Sequence, residues 1–268
     1  MADQDIQNYR NYRVTKANSL IQKTRFSLTL QEQKILLYLI TKIQPRDTEF
    51  TEYTFSIKEF CETCGIDNVG MYTTLKDTLK KLADRSFWAV IDDNGTESLL
   101  RWITTVRTNP RSGTVKIKLH EDMRPFLLNL KKQFTTYSLI YILGMKSQYS
   151  IRIYELLKSY EKLKGCEFDI DDLKRKLDCE HYQRYPDFAR KVLSIAKKEI
   201  NACSDLNVNY EPIKEGRRYA KIAFSIEPKK GFEQSLETMK NIETAMKNKP
   251  KSKKVKKEKS ELSGGENI

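Results

Sequence analysis

Residues 187–203 read DFARKVLSIAKKEINAC, and the rest of the chain is interpreted around this stretch. Apolar side chains recur at helical spacing, which predicts a helix with one buried face. They are Phe188, Val192, Ile195/Ala196 and Ile200. The basic and hydroxyl side chains of the opposite face are Arg190, Lys191, Ser194, Lys197 and Lys198. Such a helix suits a DNA major groove, although an ordinary solvated surface helix has the same pattern.

The residues just before this stretch are aromatic and basic. Tyr182, Arg184 and Tyr185 precede Pro186, which fits the first position of a helix. We therefore predict a helix over 186–203 that begins among aromatic side chains.

The segments on both sides complete a recognisable unit. A helix is predicted over 146–163, and FDIDDL at 168–173 predicts a short strand and helix. After the basic helix, LNVNY at 206–210 and YAKIAFSI at 219–226 flank the turn KEGR, 214–217, and predict a β-hairpin. Helix, turn, helix and hairpin together make a winged helix.

The same order of elements occurs earlier in the chain. Thr29 and Glu32 form a capping-box pattern before a helix over 30–43, which Pro45 ends. Ser56 and Glu59 form a second such pattern. The elements predicted after it are a helix over 57–64 capped by Gly65, a helix over 71–84, and strands over 87–91, 98–108 and 114–119, with turn signals at 92–95 and 110–113.

The repetition predicts an α+β fold of two tandem, pseudo-symmetric winged-helix domains, with the core divided between them. The predicted parts are a flexible N-terminus over 1–13, domain 1 over 14–133, domain 2 over 134–230, and a helical extension with a disordered Lys-rich tail over 231–268.

The net charge of +13 favours a polyanionic partner, since cationic side chains release counterions from phosphates. Residues 247–268 hold eight Lys and three Glu, which leaves +8 for residues 1–246. The excess therefore also lies in the folded part. The tail either adds nonspecific DNA affinity or only increases solubility.

Other classes of protein have little support in the sequence. The apolar run ILLYLI at 35–40 is far too short for a membrane span, and the N-terminus is polar, unlike a secretory signal. Five Cys, an odd number, favour a reducing compartment, which predicts a cytoplasmic protein.

Motifs that resemble catalytic or metal sites are incomplete. Cys61 and Cys64 have the spacing of a zinc pair, but neither a second CxxC nor a His pair accompanies them. Gly65 and Gly70 have P-loop spacing, but Met71 follows where the phosphate-binding lysine must be. The two His, at 120 and 181, are too far apart in sequence to indicate a nicking enzyme. We therefore predict no enzyme, no metal and no cofactor, and a structural role for Glu199.

Several segments resemble a known family. VTKANSLI at 14–21, followed by FSLTLQEQKILL at 26–37, resembles the N-terminal signature of iteron-binding plasmid replication initiators of the RepB/RepE-like family. LKSY at 157–160 and VLSIAKKEIN at 192–201 are similar to that family's second-module signature. The resemblance covers roughly residues 14–228.

The resemblance implies a theta-type plasmid replication initiator. Such proteins bind direct repeats, called iterons, as monomers and help to melt adjacent AT-rich DNA. They recruit the host initiator and replicative helicase. It also implies dimers, built mainly through the first module, that repress the protein's own gene, while the second module provides the main origin binding.

We predict that DNA contacts lie on the second helix of each helix-turn-helix and at the second wing. The full candidate set is Tyr72, Thr73, Lys76, Lys80, Lys81, Arg184, Tyr185, Arg190, Lys191, Ser194, Lys197, Lys198, Arg217 and Arg218. A plasmid or phage transcriptional regulator with the same modules is the alternative. A structural or adaptor protein whose winged helices bind other proteins is a third possibility.

Overall fold

The computed structural model describes residues 12–64, 71–90, 94–230, 240–242 and 244. It contains two winged-helix modules in tandem, as the repetition predicted. A short strand and a short helix precede each module. They are β1 (Arg13–Ala17) and α1 (Asn18–Gln22) before the first, and β7 (Phe134–Ser138) and α6 (Ile140–Leu143) before the second.

The first module contains an additional two-stranded ribbon, β3–β4, between its third helix and its wing. The elements are α2 (Leu30–Ile40), β2 (Tyr53–Ser56), α3 (Ile57–Cys64), α4 (Met71–Asp84), β3 (Ser86–Val90), β4 (Glu97–Arg101), β5 (Ile103–Asn109), β6 (Thr114–Leu119), a 3-10 turn (Glu121–Met123) and α5 (Arg124–Leu127).

The second module repeats the order of the first without the ribbon. Its elements are α7 (Gln148–Ser159), a 3-10 turn (Glu161–Leu163), β8 (Gly165–Asp169), α8 (Ile170–Lys176), α9, β9 (Leu206–Glu215) and β10 (Arg218–Pro228). Helix α9 is continuous from Tyr185–Phe188 through a π-helical turn at Ala189–Leu193 to Ser194–Cys203.

The two three-stranded sheets have the same topology. In the first module the order is β2-β6-β5, and in the second it is β8-β10-β9, with antiparallel pairing throughout. In both sheets the last strand of the module lies in the middle. This shared order confirms the duplicated fold.

A ladder between β1 and β7 joins the modules. These strands hold equivalent places in the two repeats and pair antiparallel, with Thr15 opposite Thr136 at the centre. The hydroxyls of these two threonines share a hydrogen bond of 3.0 Å. A pseudo-twofold axis therefore passes close to this pair. The ladder pairs a strand of predicted domain 1 with the first strand of predicted domain 2. The boundary at 133/134 stays a prediction.

The prediction that the core is divided between the two domains is wrong. The buried apolar side chains form one continuous cluster that runs through both modules. Helix α2 explains part of this, because residues Glu32–Ile40 are all buried and not only one face. The Lys34 ammonium donates to the Leu143 carbonyl at 2.9 Å, so α2 also contacts the segment before the second module.

Several predicted boundaries need correction. The predicted strand over 98–108 is two strands, because Trp102 turns into the core and stacks on Phe87 at a centroid distance of 4.4 Å. Helix α2 ends at Ile40, before Pro45, and α7 is shorter than 146–163. Residues 1–11, the Gly65 cap, the first two residues of the predicted turn at 92–95, and most of 231–268 lie outside the described residues.

The predicted capping box at the start of α2 is confirmed. Thr29 Oγ1 accepts from the Glu32 amide at 3.3 Å, and the Thr29 amide donates to Glu32 Oε2 at 2.8 Å.

We expect Thr29→Ala to lower the free energy of unfolding by about 1 kcal/mol, because an amide of the first turn loses its acceptor. Urea denaturation measures this, and Thr29→Ser is the matched control. An equal loss in the serine variant would contradict the capping explanation.

Candidate nucleic-acid interface

Helix α9 is buried along one face, but not with the predicted set of residues. Phe188, Val192, Ala196 and Ile200 are buried as expected. Leu193 is buried as well, whereas Ile195, which was assigned to the apolar face, is 40% exposed. The π-helical turn at Ala189–Leu193 adds a residue to one turn and rotates the rest of the helix about its axis. Regular helical spacing could not predict this shift.

The outer face of α9 carries the predicted cations. Arg190 lies within the π-helical turn, and its guanidinium contacts Asp187 Oδ1 at 3.1 Å. The Lys191 ammonium lies 5.4 Å from the centre of the Tyr182 ring. Lys198 is exposed further along the helix, and the apolar surface of Ile195 lies among these cations. This face therefore combines positive charge with one isolated aliphatic group.

A groove separates α9 from strand β9. It is open to solvent, has a volume of about 390 Å³ and is lined by Ser194, Lys197, Lys198, Asn201 and Tyr210. Hydrogen bonds to β9 hold several of these side chains. Ser194 Oγ and the Tyr210 hydroxyl are 3.1 Å apart, and the Lys197 ammonium donates to Asn209 Oδ1 at 2.6 Å. Asn201 ties the helix to the strand, because its side-chain amide exchanges hydrogen bonds of 2.7 and 3.0 Å with the Val208 backbone.

The start of α9 packs against the second wing. The Tyr185 ring stacks on Tyr219 at 4.1 Å, and the Lys214 ammonium lies 4.8 Å from the Tyr219 ring centre. Burial, together with Tyr210 and Tyr219, raises the pKa of Tyr185. Tyr185 is half-buried and supports the wing, while Arg184 before it is exposed.

The second wing ends in a tight turn that exposes two arginines. Glu215 pairs with Arg218, and Gly216 has a φ of +63°, a conformation that glycine adopts without strain. Arg217 is exposed at the tip. Arg218 forms an ion pair with Asp171 of α8. Because this pair is exposed, it costs little to exchange for a phosphate.

The first module presents a similar but less aromatic surface. Thr73, Lys76, Lys80 and Lys81 are exposed on α4, as predicted from the seam of Leu75, Leu79 and Leu82. Tyr72 is half-buried, and its hydroxyl shares a bond of 3.0 Å with Thr108 of β5. Asp77 lies exposed among the lysines and reduces the positive charge.

Sequence reasoning missed some residues of this surface. Asn209 and Tyr210 were assigned only to a strand, although they hold Lys197 and Ser194. Arg111, exposed at the tip of the first wing, was also missed. Its signal was present, because the turn at 110–113 was predicted and corresponds to the second wing tip.

The described residues contain no group of three or more His, Cys, Asp or Glu side chains that could hold a metal ion. His120 caps a 3-10 turn through Nδ1, and Glu199 accepts from the Lys146 and Ser147 amides at 3.2 and 3.1 Å. The structural role expected of Glu199 is therefore confirmed.

The cysteines have unreactive surroundings where the structure describes them. Burial raises the pKa of the Cys166 and Cys179 thiols to about 12 and that of Cys203 to about 11. At neutral pH these thiols are protonated and therefore poor nucleophiles. Cys61 is buried, while the side chain of Cys64 lies outside the described set.

Among the helices of the described ranges, none is long and apolar enough to cross a bilayer.

Comparison with known proteins matches both modules. Residues 13–158 match the family model described as initiator replication protein, WH1, and residues 169–226 match the one described as initiator Rep protein, WH2. A replication initiation protein of Escherichia coli is 25% identical over 224 residues, which cover 80% of this chain and 69% of that protein. The PI protein of Escherichia coli is 30% identical over 146 residues, 47% of each chain.

A solved structure has the same architecture. The crystal structure of the Pi initiator protein in complex with iteron DNA superposes with a TM-score of 0.66. The alignment covers 83% of this chain and 99% of that one, at 22% sequence identity. At this level of identity the likeness concerns the fold, and it extends over both modules.

Proposed function

This chain belongs to the family of initiator replication proteins, and on that premise we propose that it initiates plasmid replication by binding repeated duplex DNA at an origin. The observation that carries the proposal is the doubled winged helix with exposed cations on the second helix of each helix-turn-helix, α4 and α9. Cations on that helix suit the major groove, and a related initiator has been crystallised with iteron DNA.

The two modules read successive segments of one DNA face. Because the β1–β7 ladder and the continuous core hold them together, α4 and α9 enter grooves about one helical turn apart. Each monomer then covers one repeat of roughly two turns. The second module provides most of the sequence recognition, since α4 has a less aromatic entry, with Tyr72 alone, and carries Asp77.

The candidate residues divide into two groups. Arg190 and Arg184 are suited to guanine, because a guanidinium makes two bonds to O6 and N7. Ile195, which was not a candidate but is exposed, is suited to a thymine methyl. The remaining cations, the hydroxyls of Thr73 and Ser194, and the wing arginines contact phosphates and fix the register.

Further partners are expected from membership of the family. Self-association through the first module would allow a dimer to repress the protein's own gene at an operator. The monomer opens the origin and recruits the host initiator and helicase. These steps need no cofactor from this chain and place it in the bacterial cytoplasm.

A gel-shift titration and a nuclease footprint on the DNA that flanks its own gene test the proposal. We expect a footprint of roughly two helical turns per repeat, with affinity that falls steeply as salt rises. The gene with its upstream DNA should also sustain a replicon that lacks its own initiator. Specific binding without replicon support would favour the transcriptional regulator, and absence of salt-dependent DNA affinity would favour the adaptor protein.

A further inference from the structure

The groove between α9 and β9 has an unusual set of donors for a surface depression. Its five lining residues, Ser194, Lys197, Lys198, Asn201 and Tyr210, include two ammonium groups and two hydroxyls but no carboxylate. Glu199, the nearest acidic residue on α9, accepts from the Lys146 and Ser147 amides outside the groove. The groove is therefore positive and can accept an anion without an acidic competitor among its lining residues.

The side chains are positioned before any ligand arrives. Lys197 gives one of its three N–H donors to Asn209 Oδ1, which leaves two for another acceptor. Ser194 and Tyr210 share one bond between two hydroxyls, so one of the two protons remains available. Asn201 uses its amide to tie the helix to the Val208 backbone and so fixes the spacing of the groove walls.

We propose that this groove is a seat for one phosphate of the DNA backbone, with Asn209 and Tyr210 of β9 as positioning residues. The proposal rests on the proposed function and deepens it. The Lys197 and Lys198 ammonium groups and one hydroxyl donate to the phosphate oxygens, while β9 holds Lys197 in place. A single seated phosphate fixes the axial register of α9 in the groove, so that Arg190 one to two turns earlier meets a defined base.

The experiment compares duplexes that each carry one neutral methylphosphonate in place of a backbone phosphate. With the full chain, we expect one position at which this change weakens binding clearly. Lys197→Met should reduce the loss of affinity caused by that substitution, because Lys198 and one hydroxyl still donate to the phosphate, and should lower the slope of log affinity against log salt by about 0.9. Tyr210→Phe, which removes only the hydroxyl, should weaken binding about threefold to tenfold on the normal duplex and have no effect at the neutral position.

Lys162→Met, in the turn after α7 and outside the groove, is the matched control. It should leave the methylphosphonate profile of the wild type unchanged. An identical profile for the wild type and Lys197→Met would overturn the seat, and so would a Lys197→Met effect confined to the identity of one base pair. Lack of any DNA binding by the full chain would overturn the proposed function itself, which the wild-type titration detects separately.

Discussion

Glu155→Ala is expected to lower the free energy of unfolding by about 3–5 kcal/mol, the cost of breaking a buried charge network by removing one partner. Glu155 lies on α7 of the second module and forms an ion pair with Lys16 of β1. It also pairs with Arg152 at 3.4 Å and accepts a hydrogen bond from the Tyr137 hydroxyl of β7. All four side chains are buried, so water does not replace the interactions that are lost when Glu155 is removed.

The network predicts an asymmetry between its members. Glu155 carries the negative charge that two buried cations, Lys16 and Arg152, share. Its removal leaves two like charges without this counterion, whereas Lys16→Met leaves the pair of Arg152 and Glu155 intact. We therefore expect Lys16→Met to lower the free energy of unfolding clearly less than Glu155→Ala does.

Urea denaturation of the full chain measures both variants. Glu161→Ala is the matched control, because Glu161 also pairs with a lysine, Lys158, but is partly exposed. It should cost less than about 1 kcal/mol. Equal losses for Glu155→Ala and Lys16→Met would show that the network acts by packing and not by charge.

The same network predicts how stability depends on pH. Burial alone would raise the pKa of Glu155, but Lys16 and Arg152 outweigh it, and the pKa lies below its usual value. The stability from this ionisation is therefore complete above the pKa of the unfolded chain, about 4.3. This stability is lost as the pH falls towards the pKa of Glu155 in the folded protein. The difference in free energy of unfolding between the wild type and Glu155→Ala should therefore become smaller on acidification.

Local patterns predicted the elements well, because capping, turns and periodicity act over a few residues. The Thr29 capping box, the extent of α4 and the turn at 214–217 all belong to this class. Features that depend on distant packing were not predictable. The pairing of β1 with β7 links residues more than a hundred positions apart, and the burial of Trp102 depends on Phe87 and Phe26.

The candidate site divides in the same way. The cations of α9 could be found from the sequence, because they only need to lie opposite an apolar seam. The exposure of Ile195 and the bonds to Asn209 and Tyr210 depend on the π-helical turn and on the approach of β9 to the helix. Neither leaves a signal in the spacing of residues 187–203.

Arg190→Ala is expected to weaken binding to the cognate repeat by about 1–3 kcal/mol, roughly 5- to 150-fold, with little effect on random DNA. The Arg190 side chain is 74% exposed at the outer face of α9, and Asp187 holds its guanidinium at 3.1 Å. This position suits two parallel bonds to guanine O6 and N7, which alanine cannot make.

Competition titrations with cognate and shuffled duplexes at one salt concentration measure the effect. Lys191→Ala is the matched control, because Lys191 is the adjacent cation and is expected to contact phosphate. Lys191→Ala should lose about equal affinity for both duplexes, and the slope of its log affinity against log salt should fall by about 1. Asp187→Asn should not reduce cognate affinity, since DNA replaces the carboxylate as the partner of Arg190. A loss in Arg190→Ala that is the same on both duplexes would assign Arg190 to the phosphate backbone.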